Sequence, residues 1–227
     1  MMTFYTAVGT CRIRKEDDMK VPYIQKLGRL HAISVPEFLI WSILLWQVMT
    51  YEELKEIYDM QLEEMDIEGP DFDKLLSLLV KRKLIAKGIG YTGIDALYNM
   101  LADAFIIPYR VSDLKRFRKL LGLCLRGRVS ILDMLKSVRE SKFDSDEQRV
   151  IDLVEQTPLS TAELVRCFER GIRDVSTPTK VIEGVYIDVD SDQEHIKNEE
   201  ASASSRNDVL RAVSNLYLNR KIVFELA

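Results

Sequence analysis

Apolar residues recur at helical spacing in several windows of this chain, and capping signals announce most of them. Ser34 and Glu37 stand three residues apart ahead of Phe38 to Met49, a stretch that is apolar almost all round. A serine that accepts from the third helical N–H, with a glutamate reaching back, forms a capping box, and Pro36 fits the first turn. The pattern predicts a central core helix. Thr50 and Glu53 repeat the box and open a helix from Tyr51 to about Met65. Leu54, Ile57, Tyr58, Leu62 and Met65 form its apolar stripe, and Glu52, Glu53, Glu56, Asp59, Glu63 and Glu64 its outer face. A third helix follows Gly69-Pro70. Phe72, Leu75, Leu76, Leu79 and Lys83 lie along one side of it, and Lys74, Ser77 and Lys81 along the other. Leu84 to Lys87 reads as a short strand, 88–93 as a Gly-rich turn, and Ile94 to Phe105 as another helix. Upstream, 3–14 is rich in β-formers that alternate imperfectly, an edge strand or an ordered arm. Lys15 to Lys20 is a charged break, and Tyr23 to Ile33 a short helix or turn.

The same architecture returns near the C-terminus. Thr50-Tyr51-Glu52-Glu53-Leu54 matches Ser160-Thr161-Ala162-Glu163-Leu164 at an offset of 110, each behind an apolar helix, Ile40 to Trp46 and Val150 to Val154. Leu75, Leu79, Arg82, Lys83, Leu84 and Ile85 match Val213, Tyr217, Arg220, Lys221, Ile222 and Val223 at an offset of 138. The second copy therefore carries an insertion of 28 residues, within 172–205. The insertion opens with a possible strand pair, Val181 to Val189, and then turns polar and acidic, the composition of a mobile segment. A further stretch, Lys87-Gly88-Ile89-Gly90-Tyr91-Thr92-Gly93, contains GxGxxG. It lacks the α/β alternation of a dinucleotide fold and reads as a turn whose glycines supply positive φ.

Helix, capped helix, helix and strand, twice over, resembles the tandem winged helix-turn-helix proteins of the bacterial DNA-binding regulator type. The stretches that carry the resemblance are SVPEFLIWSILLW, TYEELKEIY and FDKLLSLLVKRKLIAKG in the first copy, and STAELVRCF and NDVLRAVSNLYLNRKIVFE in the second. It implies a mainly α fold, with two winged-helix domains joined by a basic helical segment and short β-strands in the wings. The boundaries are an N-terminal arm 1–33, a first domain 34–108, a connector 109–144, and a second domain 145–227 with the acidic loop 172–205 inserted. It also implies that a third helix enters the major groove of double-stranded DNA.

Charge selects the candidate residues. Between Glu37 and Asp95 twelve acids stand against six bases, so the first copy repels phosphate unless its acids point away from the third helix. In the second copy Asn207, Arg211 and Asn215 follow at i, i+4 and i+8 on one helix face, and Asn and Arg make bidentate contacts to adenine and guanine. Arg206, Arg220 and Lys221 are candidates for phosphate contact. Between Leu101 and Phe143 ten bases stand against four acids, and Lys115, Arg116, Arg118 and Lys119 are the densest cluster. The same residue types also furnish ordinary solvated faces. Acid-rich helices and a second copy with little or no wing support the alternative of a protein-interaction or scaffold module, as a homodimer or with another protein.

Composition removes other classes. The chain has 227 residues, a net charge of −4 and 47% hydrophobic residues, an ordinary globular balance that opposes indiscriminate nucleic-acid binding. Cys11, Cys124 and Cys167 are scattered, and His31 and His195 are the only histidines. No zinc set, disulfide framework, cofactor motif or catalytic constellation is expected, and a reducing cytoplasm fits. The most apolar run, Phe38 to Met49, is too short to span a bilayer.

Overall fold

The computed structural model describes residues 1–16, 19–65, 70–109, 143–187 and 195–227. The fold is mixed α/β, not mainly α, because strands occupy most of the first 32 residues. β1 (Met2–Ala7) is followed by a meander of β2 (Thr10–Glu16), β3 (Met19–Lys26) and β4 (Arg29–Ala32). Then come α1 (Val35–Leu44), α2 (Tyr51–Met65), α3 (Phe72–Lys81), β5 (Ile85–Gly90) and α4 (Gly93–Leu101). The remaining elements are β6 (Phe105–Pro108), α5 (Ser145–Gln156), β7 (Leu159–Ser160), α6 (Thr161–Glu169), a single turn α7 (Pro178–Val181), α8 (His195–Leu218) and β8 (Ile222–Glu225).

The capping boxes form as the sequence predicts. Glu37 N–H donates to Ser34 Oγ while Ser34 N–H donates to Glu37 Oε2 (2.7 Å), and Thr50/Glu53 and Ser160/Glu163 do the same. α1 buries Ile40, Trp41, Ile43 and Leu44, and the Trp41 indole N–H donates to Val8 O at 3.0 Å.

In the N-terminal segment 1–33, where the sequence predicts an edge strand or an ordered arm over 3–14, strands form, and β2 is an edge strand. β1 pairs antiparallel with β5, and Met49 bridges its other edge. Tyr5 to Val8 are buried, because a strand at the centre of a fold faces apolar groups on both sides. Tyr23 to Ile33 holds the end of β3 and β4, joined by a two-residue turn at Leu27 and Gly28, both with positive φ. The expected helix Ile94 to Phe105 ends at Leu101, and Phe105 opens β6. The expected strand pair from Val181 is α7 followed by a π turn, Ile182–Tyr186. Thr177 caps this piece, and Arg166 and Arg170 on α6 donate to the carbonyls of Val185 (2.8 Å) and Gly184 (2.7 Å), so no ladder is needed to satisfy them. Residues 195–205 of the proposed mobile loop belong to α8.

The internal repeat is present with its register shifted by one. In the first half Tyr5 pairs with Lys87 and bridges Met49, and in the second Ile106 pairs with Phe224 and Leu159. α3 and α8 end alike. Lys83 and Arg220 both take positive φ, Leu84 N–H donates to Leu79 O, and Lys221 N–H donates to Leu216 O. These are matching Schellman caps. Lys83 thus corresponds to Arg220, and the offset is 137 where the sequence comparison gives 138. Apart from the meander, each half runs strand, helix, a short bridging segment (the single residue Met49 in the first, β7 in the second), helix, a last long helix and a closing strand, with the first strand between the bridge and the closing strand.

Tyr217 of α8 joins the halves. Its ring is buried and packs on Phe224 at a centroid distance of 4.4 Å, and its hydroxyl enters the first half. There Trp46 N–H donates to it at 2.9 Å, Thr6 Oγ1 lies at 2.9 Å, and the carbonyls of Leu44 and Ala7 lie at 3.3 and 3.4 Å. Gly9 N–H adds a 2.8 Å bond to Phe224 O. Burial pushes the Tyr217 phenol up to about 12, against the smaller lowering effect of its bonds to Thr6, Trp46 and Ala7.

Replacing Tyr217 by Phe strands the Trp46 N–H and should cost about 1–3 kcal/mol in urea unfolding. An unfolded phenol ionises near pH 10, so the unfolded state gives up its proton first. The stability this group contributes is complete below about pH 10 and is lost as the pH rises through about 12. Tyr217→Phe should therefore flatten the fall in stability over that window.

Candidate nucleic-acid interface

α8 folds because Val209, Leu210, Ala212, Val213, Leu216 and Tyr217 supply a buried stripe. The opposite face carries Asn207, Arg211 and Asn215, all exposed, as their spacing predicts. The neighbouring element is the N-terminus of α5, which sequence reading left without a role. Asp144 caps it, and Asp146 and Glu147 occupy its first turn, where a helix favours carboxylates. Arg211 Nη2 lies 2.9 Å from Asp146 and 3.5 Å from Asp208, and Asn215 Nδ2 donates to Glu147 Oε1 at 3.1 Å. The predicted reading face is thus partly neutralised within the protein.

Arg206 does not share that face. It turns toward α4, 3.6 Å from Asp95 and 5.5 Å above the Tyr98 ring. Arg220 is the left-handed residue of the α8 cap and lies over the Trp46 ring at 5.2 Å, and that ring packs on Tyr109 at 5.4 Å. Lys221 Nζ sits 5.4 Å from the Phe143 ring, and Tyr109 N–H donates to Lys221 O at 2.7 Å. Tyr109 and Phe143 flank the basic connector, so Arg220 and Lys221 stand where it leaves and rejoins the fold. Lys115, Arg116, Arg118 and Lys119 lie outside the described residues.

In the first half Lys74, Ser77 and Lys81 are exposed on α3, and Lys74 pairs at 3.0 Å with the capping residue Asp71. Arg82 is structural: it bonds the buried carboxylate of Glu37 at 2.9 Å and donates to Ala32 O at 2.5 Å. Sequence reasoning gave no role to the cations of the meander, Arg12, Arg14, Lys26 and Arg29. The signal was available in Leu27-Gly28, a two-residue turn between β-forming runs. Burial and the nearby Lys83 push the Lys26 ammonium down, against Glu225. Burial lowers His31 too, helped by Lys26, Arg82 and Arg29.

Cys167 is buried, and desolvation pushes its thiol up to about 11, so it stays protonated at neutral pH. No group of His, Cys, Asp and Glu able to hold a metal ion occurs among the described residues. No helix among them is long and apolar enough to cross a membrane. The GxGxxG stretch is β5 running into α4, and its first two glycines serve packing. A Cβ on Gly88 would lie 2.2 Å from Ala96 O and 2.5 Å from Met100 Cβ, and one on Gly90 2.3 Å from Ala96 N. Neither has positive φ, so the reading as a positive-φ turn is corrected to close strand–helix contact.

Gly88→Ala should therefore cost about 1–3 kcal/mol in thermal or urea unfolding. Gly93→Ala meets nothing nearer than 3.7 Å and begins a helix, so it should be neutral or stabilising by about 0.5 kcal/mol. Compared with protein-family models, curated proteins and solved structures, the chain matches none.

Proposed function

We propose that the chain is a double-stranded DNA-binding protein of regulator type, built on two winged-helix units and carrying out no reaction of its own. The observation that supports this most is the position of Arg220 and Lys221 beside Tyr109 and Phe143. It sets two cations of the second unit against both ends of the most basic segment of the sequence. Arg211 and Asn215 of α8 lie close by, joined to Asp146 and Glu147 of α5, the helix that follows Phe143. β5 runs into α4 rather than into an antiparallel partner strand, so in this reading the contact falls to the α8 face and the connector rather than to a wing of the first unit. An exposed ion pair such as Arg211–Asp146 is worth about 0–1 kcal/mol, and a phosphate can displace it. In this reading the carboxylates of α5 moderate the affinity, and Arg206 serves the fold.

Protein docking is the second reading. It is favoured by a separate observation, the unpaired outer edge of β2.

Electrophoretic retention of mixed-sequence duplex at low salt tests the first reading. Arg220→Ala with Lys221→Ala should weaken binding about tenfold and reduce the slope of log K against log salt by about 2. Asp146→Asn with Glu147→Gln should strengthen it several-fold. Micromolar protein that retains no duplex, or that binds equally after the Arg220/Lys221 change, contradicts the proposal.

A further inference from the structure

The meander presents one open edge. In the order β2-β3-β4, the outer side of β4 is partly taken, since Ala32 O accepts from Arg82. Beyond β4 the outer side of β3 carries Pro22, a residue that blunts strand edges. β2 has neither device. Its seven residues contain no proline, pair with β3 along their whole length, and have no strand on their outer side among the described residues. Pro22 has no N–H, so Ile13–Pro22 is a non-hydrogen-bonded pair of the antiparallel ladder. The alternation then points the backbone N–H and C=O of Cys11 and Ile13 outward, ready for another strand.

The two faces of β2 differ in chemistry. Cys11, Ile13 and Lys15 lie on one face, the first two with Ile24 and Pro22 across the ladder, and Ile13 is 65% exposed. Arg12 and Arg14 lie on the other. Arg12 Nε donates to Gln25 Oε1 at 2.8 Å, and Arg14 sits 5.9 Å from the ring centroid of Tyr23, whose hydroxyl donates to Glu16 further along the same face. A strand added to this edge would align its own alternate side chains with each set.

We propose that β2 captures an extended peptide segment of a partner protein in which acidic and aliphatic residues alternate. Backbone bonds to Cys11 and Ile13 hold the segment, its carboxylates meet Arg12 and Arg14, and its aliphatic side chains cover Ile13. This is a mode of recognition by strand addition, with side-chain alternation as the specificity element. It does not depend on the DNA-binding reading.

Fluorescence anisotropy with a labelled eight-residue peptide alternating Val and Glu tests it on the intact chain. The alternating peptide should bind about tenfold more tightly than one with the same composition arranged as a Val block and a Glu block. Arg12→Ala with Arg14→Ala should weaken binding and remove its salt dependence, and Ile13→Pro should abolish it. Because Ile13→Pro also perturbs the strand, N-methylation of alternate peptide amides provides a second control that leaves the protein unchanged. One methylated set should lose binding and the other retain it. Equal binding of the two arrangements, or of both methylated sets, overturns the proposal. So does duplex DNA retention that depends on Arg12 and Arg14 with no peptide bound, or a dimer lost in Ile13→Pro with no peptide bound. Loss of DNA retention with peptide capture intact sinks the DNA reading alone.

Discussion

The Tyr217 hydroxyl is the constraint on which the rest of the structure depends. A phenol buried this deeply must find partners, since an unpaired polar group in a protein interior is costly. Its partners are not in its own half. They are Thr6 at the centre of β1, the Trp46 N–H past the end of α1, and the carbonyls of Leu44 and Ala7. Thr6 is itself fully buried, and its hydroxyl lies 2.8 Å from Gln47 O, so the network closes on main-chain groups that fix the turn after α1. Trp46 takes positive φ in that turn, and its ring then lies under Arg220 and against Tyr109. One buried hydroxyl thereby sets the end of α8, the start of the connector and the first half in a fixed relation.

Charge is organised around that frame. Acids concentrate at helix starts, where Asp71, Asp144, Asp146 and Glu147 satisfy or face unpaired N–H groups, and several are also partners for cations that the sequence alone presents as available. Lys74 and Arg211 are in this position. Arg82 and Arg206 are tied to Glu37 and Asp95. Arg220 and Lys221 rest instead on aromatic rings, with their charge directed to the junction with the connector.

What was legible in the sequence was local. Ser34/Glu37, Thr50/Glu53 and Ser160/Glu163 each signal a helix start over three residues, and all three form. The repeat was legible in the exits of α3 and α8, yet its register slipped by one. Side-chain type aligns Arg82-Lys83 with Arg220-Lys221, whereas the left-handed cap aligns Lys83 with Arg220. β1 was obscured because its pairing partner β5 lies about eighty residues away and because burial on both faces erases period-two alternation. The engagement of Arg211 and Asn215 was equally invisible, since their partners are 65 and 68 residues distant. The α8 stripe itself was readable from i, i+4 spacing, and Arg206 escaped it because i−1 from Asn207 points to a different side of the helix.

Both tryptophans, Trp41 and Trp46, lie in the first half, which gives the central claim a direct measurement. Trp46 packs at the junction and Trp41 in the core of the first half, so urea unfolding of a Trp46→Phe variant followed by Trp41 fluorescence reports that half, while far-UV circular dichroism reports the whole chain. If the Tyr217 network makes the halves one cooperative unit, the two probes give a single coincident transition with the same midpoint and slope. Two separated transitions, with the fluorescence change completed while helix signal persists, would contradict the account.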